Sequence, residues 1–137
     1  MDITGITPFL TFNGRSEEAM RYYASILPGA EITKLLRYGK DHPIAANGEN
    51  DKVLHGVLSY AGQEIMFMDM DAAHPAPDFS WAASMYISCV DEAEFDAIFN
   101  GLARDGFVMM KEEPFMQFRK VAWVTDKFGV TWQPVLE

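Results

Sequence analysis

Three histidines, one cysteine and one aspartate at the end of a predicted strand are the side chains best suited to chemistry: His42, His55, His74, Cys89 and Asp69. His42 and His74 each precede a proline in a polar loop, and we expect both to be solvated. His55 lies in a predicted strand, where it could act as an acid, a base or a hydrogen-bond donor. Asp69 could partner His55, but the same residue is equally typical of a turn.

Cys89 is the single cysteine of the chain, which excludes an intramolecular disulfide and a multi-thiolate metal site. A lone thiol also suits a reducing compartment. Because no histidine lies near it in sequence, we expect Cys89 to be a small buried hydrophobic residue and not a nucleophile.

The length of 137 residues predicts a single domain spanning residues 1–137, and 49% hydrophobic residues supply a packed core. The net charge of −9 argues against binding to nucleic acid or to an anionic membrane surface. No apolar run approaches the roughly 20 residues that span a bilayer, and the first residues lack the order of a signal peptide. These features predict a cytoplasmic protein.

The two halves of the chain show the same order of elements: a strand, a helix and then three strands. We expect a first module at about residues 1–70, a connector at 71–80 and a second module at about 81–137. Ser16 and Asp91 are the predicted N-caps, with Glu94 completing a capping box, and Gly29 and Gly106 follow the two helices. In each module one helix would cover one face of a sheet of about four strands, and the other face would line a concave cavity.

Three segments resemble the PhnB-like branch of the vicinal oxygen chelate superfamily, which also contains glyoxalase I, bleomycin-resistance proteins and extradiol dioxygenases. The segments are residues 6–12 with Glu17-Glu18-Ala19, residues 61–66, and residues 122–133, where Asp126-Lys127-Phe128-Gly129-Val130 is the most specific. The resemblance implies an α+β fold in which two βαβββ modules form a curved mixed sheet with a concave cup. It also implies a homodimer.

Domains of this branch also carry the label 3-demethylubiquinone 3-methyltransferase. A methyltransferase of the usual kind has a strand followed by a Gly-rich turn that holds the adenosyl cofactor. This sequence has no Gly-x-Gly stretch. We therefore expect no such cofactor.

The resemblance implies four equivalent strand positions in the cup, where metal-dependent members carry metal ligands. We locate these positions by strand alternation, because successive side chains of a strand point to opposite faces and we expect Leu10 and Phe12 to face the helix. The cup positions on the first strand are then Thr7, Phe9 and Thr11, and the four ligand positions are Thr7, Met66, Met85 and Gln133, with Ile87 and Cys89 beside Met85. Only Gln133 is a reasonable ligand for a hard cation, so we expect no metal and no cofactor.

Soft methionine side chains are predicted on the same surface, at Met66, Met68 and Met85. They would fill irregular space around an apolar or planar ligand, or alternatively the core of a dimer. The leading hypothesis is a metal-free homodimer that binds a small organic molecule. The alternatives are a glyoxalase-type or dioxygenase-type enzyme, with a metal held by His55, Gln133 and an acid from the partner chain, and a structural dimer without a ligand.

Overall fold

A computed structural model of the protein describes residues 5–39 and 51–137, so His42 lies outside the described residues. The chain divides into two compact units, Met1–Ala76 and Pro77–Glu137. The division falls inside the predicted connector at residues 71–80. None of the described helices is long and apolar enough to cross a membrane.

The first unit is a four-stranded sheet, called sheet 1, with one helix. Its elements are β1 (Phe9–Phe12), α1 (Ser16–Ile26), β2 (Glu31–Arg37), β3 (Val53–Tyr60) and β4 (Gln63–Asp69). The strand order is β1-β4-β3-β2, with β1 parallel to β4 and the other pairs antiparallel. Helix α1 buries Ala19, Met20 and Tyr23, and the Tyr23 ring lies 6.1 Å from that of Phe67.

The second unit repeats this arrangement in a second sheet, called sheet 2. Its elements are β5 (Ser84–Cys89), α2 (Glu92–Ala103), β6 (Phe107–Glu112), β7 (Lys120–Thr125) and β8 (Thr131–Leu136). The strand order is β5-β8-β7-β6, again with one parallel pair, β5 and β8. Helix α2 buries Phe95, Ile98 and Leu102 completely. The predicted α+β class and the repeated βαβββ order are confirmed.

The two helices begin differently, and only one N-cap prediction is confirmed. The Asp91 carboxylate accepts a hydrogen bond from the Glu94 backbone N–H at 2.8 Å, which is the N-cap half of a capping box. The Glu94 carboxylate accepts a hydrogen bond from the Val90 backbone N–H at 3.2 Å and not from that of Asp91. Ser16 is instead the first residue of α1, after Arg15 at the N-cap, and its buried hydroxyl has no hydrogen-bond partner within the described part of the chain. The Ser16 prediction was wrong because the Asp69 carboxylate accepts hydrogen bonds from the backbone at the start of α1.

Glu17 ties the first turn of α1 to the end of β2. Its carboxylate accepts hydrogen bonds from Arg37 at 2.6 Å and from Arg21 at 2.7 Å. The hydrogen bond from Arg37 is the main cause that lowers the pKa of Glu17 from 4.5 to about 2. The pKa of Glu17 is lower in the folded state than in the unfolded state, so the ionised carboxylate stabilises the fold. This stabilisation is complete above pH 4.5 and is lost as the pH falls toward 2.

We therefore expect Glu17→Gln to lower the free energy of unfolding by about 1 kcal/mol at pH 7 and to have little further effect near pH 2. Urea unfolding of both proteins between pH 7 and pH 2 measures the difference. Glu64→Gln, at an exposed position of β4, is the matched control. The difference in free energy of unfolding between Glu17→Gln and the unmodified protein should shrink toward pH 2. A difference that stays constant between pH 7 and pH 2 would contradict the role of the Glu17 carboxylate.

Candidate functional site

Each sheet has one face that packs against its helix and an opposite face, here called the back face. In β1, Leu10 and Phe12 are buried toward α1, whereas Phe9 is 49% exposed. The predicted alternation of β1 is therefore confirmed for Phe9 and Thr11. Thr7 precedes β1 and is exposed, so it lies outside the sheet.

Strand register brings the predicted binding residues of sheet 1 together on its back face. Phe9 pairs with Met66 and Thr11 with Met68, and Val57 lies on the other side of Met66. Across the sheet, the His55 ring stacks near that of Phe9, with centroids 6.3 Å apart and planes inclined by 22°. We call these six residues the sheet 1 cluster: Phe9, Thr11, His55, Val57, Met66 and Met68. The cluster is apolar apart from the imidazole and one hydroxyl.

Asp69 does not belong to this cluster, so the prediction that it partners His55 was wrong. Its side chain is 1% exposed and lies on the helix side of sheet 1 with Phe67. Its carboxylate accepts three backbone hydrogen bonds, from Gly14 and Ser16 at the start of α1 and from Val53. The alternative interpretation, a residue that orders turns, describes Asp69 better, and it explains why Ser16 does not cap the helix.

On sheet 2 the prediction that Met85 shares the back face with Gln133 was wrong. Met85 pairs with Trp132, which is 1% exposed on the helix side. Ile87 and Cys89, two and four residues along the strand, are also buried, whereas Tyr86 is 55% exposed. The pairing partner of Gln133 is therefore Tyr86.

The predicted frame was shifted by one residue, because β5 ends at Cys89 and Val90, which follows it, is 76% exposed. Cys89 corresponds to Phe12, and Ser84 therefore corresponds to Thr7. The Gln133 side chain donates a hydrogen bond to the Ser84 hydroxyl at 2.6 Å. A signal for the correct frame was present in the sequence, because Ser84 and Ser88 alternate with apolar residues and mark the polar face.

Neither Cys89 nor His74 is placed to act as a catalytic group. Burial raises the pKa of the Cys89 thiol to about 11, so the thiol is protonated at neutral pH and is a poor nucleophile. His74 is exposed and bonds the Asp71 carboxylate at 2.9 Å. Within residues 5–39 and 51–137, no three His, Cys, Asp or Glu side chains are grouped so as to hold a metal ion.

A cleft of about 680 Å³ lies beside the start of α1. Its lining residues are Gly14, Glu17, Glu18, Arg21, Arg37, Asp51 and Asp69. The charged groups already bind each other or the backbone, as the bonds from Arg37 to Glu17 and to the Asp51 carbonyl show. A ligand would have to replace these bonds, so the back faces are the better candidates for binding.

The chain matches a family model described as 3-demethylubiquinone-9 3-methyltransferase over residues 4–135. It is 36% identical to a structure described as a putative 3-demethylubiquinone-9 3-methyltransferase, PhnB protein, from Bacillus cereus, covering 98% of this chain and 100% of that one, with a TM-score of 0.84. It is 30% identical to protein PA1353 from Pseudomonas aeruginosa, covering 98% of each chain, with a TM-score of 0.88.

A more distant similarity concerns the fold alone. A glyoxylase/bleomycin resistance protein/dioxygenase domain from Frankia sp. EAN1pec is 17% identical, with 98% of each chain covered and a TM-score of 0.64. Both units described above have the βαβββ order and one parallel strand pair. This is not the doubly wound parallel sheet of the usual methyltransferases.

Proposed function

Because this chain belongs to the 3-demethylubiquinone-9 3-methyltransferase family, within the PhnB-like branch of the vicinal oxygen chelate superfamily, we propose that it binds a small organic molecule without a metal. The binding surface is the back face of sheet 1, in the cup of a cytoplasmic homodimer. The observation that carries this proposal is the composition of the sheet 1 cluster.

The sheet 1 cluster has the properties of a small-molecule surface. Phe9 leaves about half of its surface exposed, and Leu36 of β2, which pairs with His55, is 48% exposed. Thioether side chains at Met66 and Met68 adapt to irregular ligand shapes, and a flat ring can stack on Phe9. His55 adds one polar group at the edge of this apolar surface, which is the usual balance of a ligand site.

Metal-free binding is supported by the donor atoms at the positions that the superfamily uses for metals. Met66 offers a thioether, which is a soft ligand, and Ser84 and Gln133 offer neutral oxygens. The Ser84 hydroxyl already accepts a hydrogen bond from the Gln133 amide N–H. Thr7 lies outside β1. Such a donor set favours recognition of organic groups over retention of a hard divalent cation.

Methionine-methyl NMR of the intact protein tests this proposal. During titration with a library of neutral planar compounds, we expect the methyl signals of Met66 and Met68 to shift, because ligand rings change their local field. Met20, a fully buried residue of α1, is the internal control, and its signal should not move. Met→Leu variants assign the signals.

Phe9→Ala should weaken the binding of any compound found in this way about tenfold, because an aromatic anchor contributes more than 1 kcal/mol. Val90→Ala, at a position that is 76% exposed in the other unit, is the control and should bind normally. Metal analysis and light scattering complete the test. A stoichiometric divalent ion would contradict metal-free binding, and a mass of one 15.4 kDa chain would contradict the homodimer.

A further inference from the structure

The turn between β1 and α1 contains an asparagine that binds the connector at residues 71–80. The Asn13 side-chain N–H donates a hydrogen bond to the Ala76 carbonyl oxygen at 3.0 Å, and the Asn13 side-chain oxygen accepts one from the Ala76 backbone N–H at 2.8 Å. The two residues are 63 positions apart in sequence, and Ala76 is the last residue of the first unit. This double hydrogen bond, here called the Asn13–Ala76 pair, therefore fixes the connector to the turn.

The Asn13–Ala76 pair requires an amide at position 13, because one hydrogen bond uses a side-chain donor and the other a side-chain acceptor. An ionised carboxylate accepts hydrogen bonds but donates none. At position 13 it would leave the Ala76 carbonyl oxygen without its donor and would place two acceptors against each other. Conversion of the Asn13 amide to a carboxylate would therefore weaken the pair.

Asn13 is followed by Gly14, and an asparagine before glycine readily loses its side-chain amide because glycine has no Cβ atom to hinder the reaction. The Gly14 backbone nitrogen attacks the side-chain carbonyl carbon of Asn13, and a C–N bond forms. The bond to the side-chain nitrogen breaks, and that nitrogen leaves as ammonia with the proton of the Gly14 N–H. Water then opens the cyclic imide to aspartate or isoaspartate, and both products carry a carboxylate in place of the amide.

The fold slows this reaction by holding both of the groups that must meet. The Gly14 N–H donates a hydrogen bond to the Asp69 carboxylate at 2.9 Å, and the Asp69 side chain is buried. The Asn13 side chain is held by Ala76. Because Asn13 itself is exposed, water reaches it once these bonds open. The rate of reaction therefore depends on local opening of the turn.

We propose that Asn13 is a site of slow covalent modification, where hydrolysis of the side-chain amide releases the connector from the turn. Asp69 delays the reaction, because the Gly14 nitrogen can attack only after it has left the carboxylate. Aspartate and isoaspartate do not return to asparagine, so the release is permanent. The reaction does not involve the sheet 1 cluster and goes beyond the proposed function.

Mass spectrometry of the tryptic peptide of residues 1–15 measures the conversion of Asn13. At mildly alkaline pH, the intact protein should react about ten to a hundred times more slowly than a synthetic peptide of the same sequence, because the turn must open first. Asp69→Asn should raise the rate about threefold or more, since an amide holds the Gly14 N–H less strongly than a carboxylate does. Asn100-Gly101 lies inside α2, where helical hydrogen bonds hold the backbone, and serves as the slow internal reference.

Asn13→Asp reproduces one product and should speed amide hydrogen exchange at Ala76 about fivefold, as the loss of one net hydrogen bond implies. Asn100→Asp adds the same charge at an exposed position of α2 and should leave exchange at Ala76 unchanged. An unchanged indole signal of Trp132, whose N–H donates to the Asp126 carboxylate, shows that each variant is folded.

Equal rates of Asn13 conversion in the protein and the free peptide would overturn the inference, and so would a protein in which Asn13 never reacts. Equal exchange at Ala76 in Asn13→Asp and the unmodified protein would also overturn it, because the connector would then not depend on the amide. A conversion rate that Asp69→Asn leaves unchanged would contradict the role of Asp69.

Discussion

Replacing Asp69 with alanine will lower the free energy of unfolding by about 3–5 kcal/mol. The Asp69 carboxylate accepts backbone hydrogen bonds from Gly14 at 2.9 Å, Ser16 at 3.0 Å and Val53 at 2.9 Å. Hydrogen bonds to a charged acceptor each contribute about 1.5–3 kcal/mol, and donors left buried without an acceptor add a desolvation cost. Urea unfolding at neutral pH measures the loss.

The matched control for this change is Asp78→Ala, which removes an exposed carboxylate and should change stability by less than about 0.5 kcal/mol. Asp69→Asn should fall between the two, because its amide keeps one acceptor oxygen but presents N–H groups where a backbone donor needs an acceptor. A loss below about 1 kcal/mol for Asp69→Ala would show that the three backbone groups find other partners.

Gly106→Ala should cost about 3 kcal/mol, although alanine is a small residue. A Cβ atom at this position would lie 2.5 Å from the Thr125 carbonyl oxygen and 2.7 Å from that of Leu102. Both obstacles are backbone atoms, so no side-chain rotation relieves the clash, and α2 or β7 has to shift. Thermal or urea unfolding of the purified variant measures the effect.

Gly5→Ala provides the control, because a Cβ atom there meets nothing within 4 Å and stability should change by less than about 0.5 kcal/mol. The two glycines thus separate the effect of a close backbone approach from the effect of losing a glycine. Comparable stability of both variants would mean that the region around Gly106 adjusts at little cost.

Gly106 also shows how a correct sequence signal can have another physical cause. The sequence predicts that Gly106 follows α2 as Gly29 follows α1, and both glycines do follow the helices. Gly29 has a φ of +80°, which glycine adopts easily. After α2 the left-handed residue is Asp105, with a φ of +58°, and Gly106 is needed because of its contacts with backbone distant in sequence.

The site predictions that depended on local sequence were confirmed, and those that depended on distant contacts were not. Alternation in β1 and β4 was predictable, because one apolar residue in two faces a helix and the pattern is local. The position of Met85 was not obtained, because its face depends on where β5 ends, and a shift of one residue reverses every side chain. For Asp69 the sequence left two roles open and could not choose between them, because its backbone partners lie 16 to 55 residues away in sequence.

The sequence by itself determined the repeated order of strands and helices, the α+β class and the family, because these follow from local periodicity and short motifs. Only the tertiary structure decided which residues meet on each back face and that Asp69 supports the start of α1. The reason is physical, since register, burial and hydrogen-bond satisfaction depend on contacts between residues far apart in the chain.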